Sequence, residues 1–159
     1  MRRAVLTKAK MPVNIRPLRV SDRDAWAVLW TAYLEFYGSS VPDAVYESTF
    51  ERLLGQDDTD FSGLVAEQNG TLVGLTHYLF HRHCWKIENT CYLQDLYADP
   101  SVRGKGIGRQ LIEAVYAVSE AARARSGDWL GQDDDVAARQ LYDRVAVLTP
   151  FIKYNKPIG

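Results

Sequence analysis

Residues 92–109, Tyr-Leu-Gln-Asp-Leu-Tyr-Ala-Asp-Pro-Ser-Val-Arg-Gly-Lys-Gly-Ile-Gly-Arg, constrain the chain more than any other stretch. Residues 92–98 are aromatic and aliphatic with alternating character, which predicts a strand. Asp99-Pro100 ends it, because proline has no ladder donor. Gly104, Gly106 and Gly108 then lead into Ile107, Leu111, Ile112, Val115 and Val118, the apolar stripe of a helix over about 106–124. A strand, a glycine-rich loop and a helix N-terminus make an anion site, since bare N–H groups and the helix dipole converge there. Glycine lets backbone approach a phosphate closely, and Arg103, Lys105 and Arg109 add positive charge.

The loop is neither of two familiar phosphate binders. Gly-Lys-[Ser/Thr] is missing, which excludes a P-loop and disfavours nucleotide hydrolysis. Gly-x-Gly-x-Gly is not Gly-x-Gly-x-x-Gly, and no βαβ unit opens the chain. Leu-x-x-x-Pro-x-x-Arg-Gly-x-Gly-Ile-Gly instead resembles the acyl-CoA pyrophosphate loop of the GNAT acetyltransferase superfamily.

At 159 residues a single domain is expected over 13–159, behind a loose extension at 1–12. A formal net charge of −1 gives no electrostatic case for nucleic acid or a membrane surface as partner. Cys84 and Cys91 form neither a disulfide framework nor a metal spacing, so a cytoplasmic location is expected. No apolar run reaches membrane-spanning length.

Pattern predicts the remaining elements. Residues 13–18 read as a first strand, with Pro17 near its end. Ser21-Asp22-Arg23-Asp24 is an N-cap signature for a helix carrying Trp26, Leu29, Trp30, Tyr33 and Tyr37. A second helix starts at Pro42-Asp43, with Val45, Phe50, Leu53 and Leu54 inward. Strands at 61–67 and 71–80 flank Asn69-Gly70, a strong hairpin turn. Residues 127–131 predict a short, poor strand, because they hold two glycines and an aspartate. A helix over 137–145 and a final strand over 151–154 complete the chain. The fold expected is α/β (α+β), with a mixed, mainly antiparallel central sheet flanked by about four helices. His77, His81, His83 and Cys84 invite a metal reading, but no further ligand joins them at metal spacing.

The resemblance to the GNAT superfamily extends over about 13–155. Its nearest pattern is the subfamily that acetylates polyamines and histone tails, matched by Trp26 to Trp30, Tyr92 to Tyr97 and Pro150 to Tyr154. It implies transfer of an acetyl group from acetyl-CoA to a primary amine by direct attack in a ternary complex. The acceptor would be a polyamine, a lysine side chain or a similar cation. It also implies roles. The backbone of Leu96, Tyr97 and Ala98 pairs with the pantetheine arm. Arg103, Gly104, Lys105, Gly106, Ile107, Gly108 and Arg109 hold the pyrophosphate. Tyr142 protonates the departing thiolate, a proton transfer well matched by a phenol pKa of about 10. Homodimers or larger assemblies are implied as well, and the aromatic final strand suits pairing across a two-fold.

Two positions depart from the pattern. Gln94 stands where polyamine acetylators carry Glu and is not a general base, so Asp95, or a water held by Asp95 and Gln94, has to serve. Alternation would put these two side chains on opposite faces. Asp135 stands where an Asn contacts the cofactor, and a carboxylate there repels phosphates unless it turns away. These departures motivate an alternative, a non-catalytic acyl-CoA-binding sensor. For the acceptor, Glu35, Tyr37 and Asp95 are the expected contacts. Glu47, Glu51 and the Asp57-Asp58-x-Asp60 run offer a possible acidic approach.

Overall fold

The computed structural model describes residues 12–158. The expected extension at 1–12 lies, but for Pro12, outside them. Strands β1 (Asn14–Pro17), β2 (Ser62–Gln68), β3 (Thr71–His81), β4 (Thr90–Ala98) and β5 (Ser126–Asp128) form one sheet in that spatial order. The first four are antiparallel neighbours, and β5 runs parallel to β4. Asn69 and Gly70 both take positive φ in the β2–β3 turn, as a two-residue hairpin demands.

Helices α1 (Arg23–Phe36) and α2 (Asp43–Leu53) cover one face, and α3 (Ile107–Ala121) covers the other. Trp26, Leu29, Trp30, Phe50, Leu53, Val65 and Leu75 form the first core. Ala66, Val73, Val102, Ile107 and Leu111 form the second. The approach of α3 depends on Gly74 in β3, where a Cβ would sit 2.9 Å from the Tyr97 carbonyl oxygen and 3.2 Å from both Ile107 and Leu111. The glycine loop at the start of α3 is seated by that contact.

Asp22 occupies the position before α1, but its carboxylate caps nothing in that helix. It takes 2.7 and 2.9 Å bonds from the buried Arg16 guanidinium and one from the Arg19 amide. Glu67 also accepts from Arg16. The charged signature at 21–24 therefore ties β1 to the turn before the helix.

The chain divides into two units, one running to Trp129 and one from Leu130 on. The second holds α4 (Val136–Val145). Residues 146–158 have no regular structure, which corrects the expected strand over 151–154. Aromatic alternation marks a segment able to pair, but a strand exists only against a partner edge. The sheet ends at β5, three residues long, and Pro150 and Pro157 each remove a donor from the segment.

Candidate active site

The register of β3 against β4 sets the site. His77 opposes Asp95, and Tyr78 opposes Leu93, so Gln94 has no partner and forms a bulge. Strict alternation would send Gln94 and Asp95 to opposite faces. The bulge brings both to the α1/α2 face, where both line one cleft of about 440 Å³. Thr76 fixes the irregularity by donating its hydroxyl to the Asp95 carbonyl at 2.9 Å.

Trp30, Tyr33, Leu34 and Tyr37 of the α1 end, Val41, and Val45, Thr49 and Leu53 of α2 make the walls. Phe61, His77, Gln94 and Asp95 complete the lining. Such a lining is mostly apolar with a few convergent polar groups, the usual character of a small-molecule site. It contains no lysine or arginine. Of the expected acceptor contacts, Tyr37 and Asp95 line it, whereas Glu35 is exposed on the last turn of α1 and does not.

Two residues of the acidic run read from the sequence are held by local bonding. Asp57 accepts from the Thr59 amide and hydroxyl, which hold its carboxyl below the usual range. Asp60 pairs with Arg52, and Glu47 and Glu51 are exposed away from the lining.

Asp95 sits among named donors. His77 Nδ1 lies 2.7 Å from its Oδ2, and Trp30 Nε1–H donates to the same oxygen at 3.3 Å. His77 Nε2 in turn lies 2.9 Å from Trp26 Nε1. His77 was passed over in the sequence, where it stood only as one of several possible metal ligands. Its partners come from α1 and β4 and carry no local signature; the one available signal is a histidine in the middle of a mostly apolar strand.

From the cleft, β4 leads to the glycine loop. β5 pairs with β4 only as far as Tyr92. Among the described residues, no strand continues that edge along Leu96, Tyr97 and Ala98, so their backbone groups that point away from β3 face an edge without a strand. Tyr97 packs on the α1 side beside Tyr33, and burial pushes its phenol up, so it stays protonated. Asp99 accepts from the Ser101 amide, those Ser101 bonds lower its carboxyl, and Pro100–Val102 forms a short 3-10 turn.

Gly104 and Gly106 take φ of 75° and 76°, and Gly106 precedes the first residue of α3. A Cβ on either would meet nothing within 4 Å, so the backbone there faces open space. Gly108 is inside the helix. Arg103 and Lys105 are exposed, and Arg109 is bound to Glu113 one turn on. Left-handed glycines, the unbonded N–H groups of a helix's first turn and two exposed cations fit a diphosphate.

In the second unit, Asp135 caps α4, accepting from the Ala138 amide at 3.0 Å. Its carboxylate is thus occupied by its own helix. Tyr142 lies on that helix with its ring against Gly131, where a Cβ would be 3.1 Å from Tyr142 Cε2.

A mainly antiparallel sheet, a strand edge left open beside a cleft, and a pyrophosphate-type loop at the next helix define an acyl-CoA-dependent transferase. Residues 26–146 match the model of the acetyltransferase (GNAT) family, and the chain belongs to that family. It is 30% identical over 145 residues to a D-amino-acid N-acetyltransferase of Saccharomyces cerevisiae, covering 91% of this chain and 90% of the relative. An N-acetyltransferase of Bacillus subtilis, itself uncharacterised, is 27% identical over 83% of this chain and 87% of its own. An aminoglycoside N-acetyltransferase solved with CoA shares the fold at a TM-score of 0.81 and 17% identity, covering 96% and 99% of the two chains. The protein is an acetyl-CoA-dependent N-acetyltransferase, and the sensor alternative gives way.

Proposed function

We propose that the enzyme acetylates a primary amine carried on a small, largely apolar body, bound in the cleft between α1, α2 and β4. One observation carries this reading: a cleft walled by aromatic and aliphatic side chains holds a carboxylate and an amide, with no lysine or arginine in its lining. Asp95 supplies a single negative charge for an ammonium. Polyamines and aminoglycosides carry several cations, for which this lining offers no further carboxylate. The polyamine and histone-tail pattern seen in the sequence is therefore less well supported than a monoamine. The name of the yeast relative makes apolar D-amino acids one class to include.

In this reading Asp95, directly or through a water shared with Gln94, takes the ammonium proton. The amine nitrogen attacks the thioester carbon, a backbone N–H of Leu96 to Ala98 polarises the carbonyl, and the C–S bond breaks. Tyr142 gives its proton to the thiolate and regains one from the amine. The net change is one amide, one CoA thiol and one released proton. Arg103 to Arg109 hold the diphosphate, and Asp135 serves as a helix cap rather than a cofactor contact.

The test is thiol release from acetyl-CoA across a panel of aryl- and alkylamines, D- and L-amino acids, a lysine peptide, spermidine and an aminoglycoside. Apolar monoamines are expected to give the highest kcat/KM. Spermidine exceeding them tenfold would restore the polyamine reading.

A further inference from the structure

His77 is 3% exposed and Asp95 8%, and the ring between Trp26 and Asp95 has both nitrogens engaged. An indole N–H donates and never accepts. Trp26 Nε1–H therefore requires an unprotonated His77 Nε2, which puts the single ring proton on Nδ1, pointing at Asp95 Oδ2. A doubly protonated imidazolium would turn an N–H at Nε2 against the N–H of Trp26, donor against donor.

We propose that His77 is a positioning residue for Asp95, held by Trp26 in its neutral Nδ1–H form so that the carboxylate is oriented without being neutralised by a cation. The inference rests on Asp95 being the base. With both nitrogens engaged, His77 has no lone pair to offer the amine, so it does not act as the base itself. The neutral ring and the neutral Trp30 indole both donate to Oδ2, which fixes the carboxylate while leaving its charge for the ammonium. A cationic partner in the same place would lower the proton affinity of the carboxylate.

The groups facing the ring support this arrangement. Asp95 comes from β4, the indoles of Trp26 and Trp30 come from α1, and Gly63 of β2 offers no side chain. Tyr46 of α2 lies edge-on to both indoles, and Arg23 lies over the rings of Trp26 and Phe50.

The experiment joins nitrogen NMR of the imidazole with pH–rate profiles for Trp26→Phe, His77→Phe and His77→Asn. In the wild type, Nε2 is expected to show the unprotonated signature throughout pH 5.5–8. Trp26→Phe keeps a ring in place but removes the opposing donor. With no opposing donor, Nε2 should then show a protonated signature at the acid end of that range, and kcat there should fall below the wild-type value. His77→Phe is expected to lower kcat about a hundredfold, with acetyl-CoA affinity unchanged. His77→Asn, which keeps an N–H near the Nδ1 position, is expected to recover to within tenfold of wild type. If His77→Phe does not fold, Trp26→Phe carries the test alone. Both ring nitrogens protonated at pH 6 in the folded wild type, or full kcat in a folded His77→Phe, would overturn the proposal. Full turnover by Asp95→Asn would instead overturn the choice of base, and the positioning role would fall with it.

Discussion

Gln94 and Asp95 are consecutive in β4 and yet line the same cleft, because the ladder with β3 leaves Gln94 unpaired. Their side chains therefore act on one volume.

This relationship predicts unequal effects of substitution. Asp95→Asn is expected to lower kcat on the order of a hundredfold, the usual contribution of a general base, while KM for acetyl-CoA moves little. Gln94→Glu places a second carboxylate beside the first. Like charges disfavour joint ionisation, so the acid limb of the kcat/KM profile should move to higher pH with kcat changed less than tenfold. Steady-state profiles from pH 5.5 to 9 check both. An unmoved acid limb in Gln94→Glu would mean that the two groups do not share the site.

The loop prediction separates strain from charge. Gly106 needs its left-handed φ, but a side chain there meets open space. Gly106→Ala should fold at a cost of about 1 kcal/mol. Gly106→Glu should also fold, yet lose CoA binding if this loop holds the diphosphate as proposed, because the added carboxylate would repel it. Calorimetric titration with CoA on a variant shown folded by circular dichroism decides the matter.

What was legible in the sequence was local. The loop, the hairpin turn and the aromatic stripe of α1 each depend on residues close in the chain, so spacing exposes them. The bulge at Gln94 depends on a register set across two strands, and period-2 alternation taken alone separates Gln94 and Asp95 onto opposite faces. The His77–Trp26 bond joins residues 51 apart in the chain. Phe151 to Tyr154 show the opposite error, since strand-like composition says nothing of whether an edge is there to receive it. In the charged run at 57–60 the sequence does not show that Thr59 engages Asp57 or that Arg52 engages Asp60.

That last segment has its own expected outcome. Val147, Leu148, Phe151, Ile152, Tyr154 and Ile158 are all largely exposed. So many exposed apolar side chains in one segment suit an interaction surface, and we expect pairing between copies of the chain. Light scattering should give at least a dimer for the full protein and a monomer after removal of 147–159. A monomer for the full protein would end this expectation.

Acid should weaken the fold through Asp22. Its carboxyl is lowered, chiefly by the Arg16 hydrogen bond, against the opposing effect of burial. A carboxylate depressed in the folded state contributes stability above its unfolded pKa of about 3.9 and loses it as pH falls through the folded value. Urea unfolding at pH 7, 4 and 2.5 should show a steep loss over the lower interval. Asp22→Asn, which leaves Arg16 with Glu67 alone, should cost about 3 kcal/mol at pH 7 and flatten that loss.

Tyr142 provides the sharpest test of the chemistry. Tyr142→Phe keeps the ring against Gly131 and removes the phenol hydroxyl with its proton. If that proton goes to the thiolate, acetyl-CoA affinity and Tm should hardly change, while kcat falls on the order of a hundredfold. The loss belongs in kcat, because the proton moves in the transition state and not on binding. A CoA-type thiol is already fairly acidic, near a cysteine-like 8.5, so a tenfold drop still fits. Undiminished turnover does not. A second candidate phenol is Tyr97 of β4 itself, whose burial keeps it protonated. The comparison of Tyr97→Phe with Tyr142→Phe then identifies which ring supplies the proton: the variant whose kcat falls while its CoA affinity holds carries the acid.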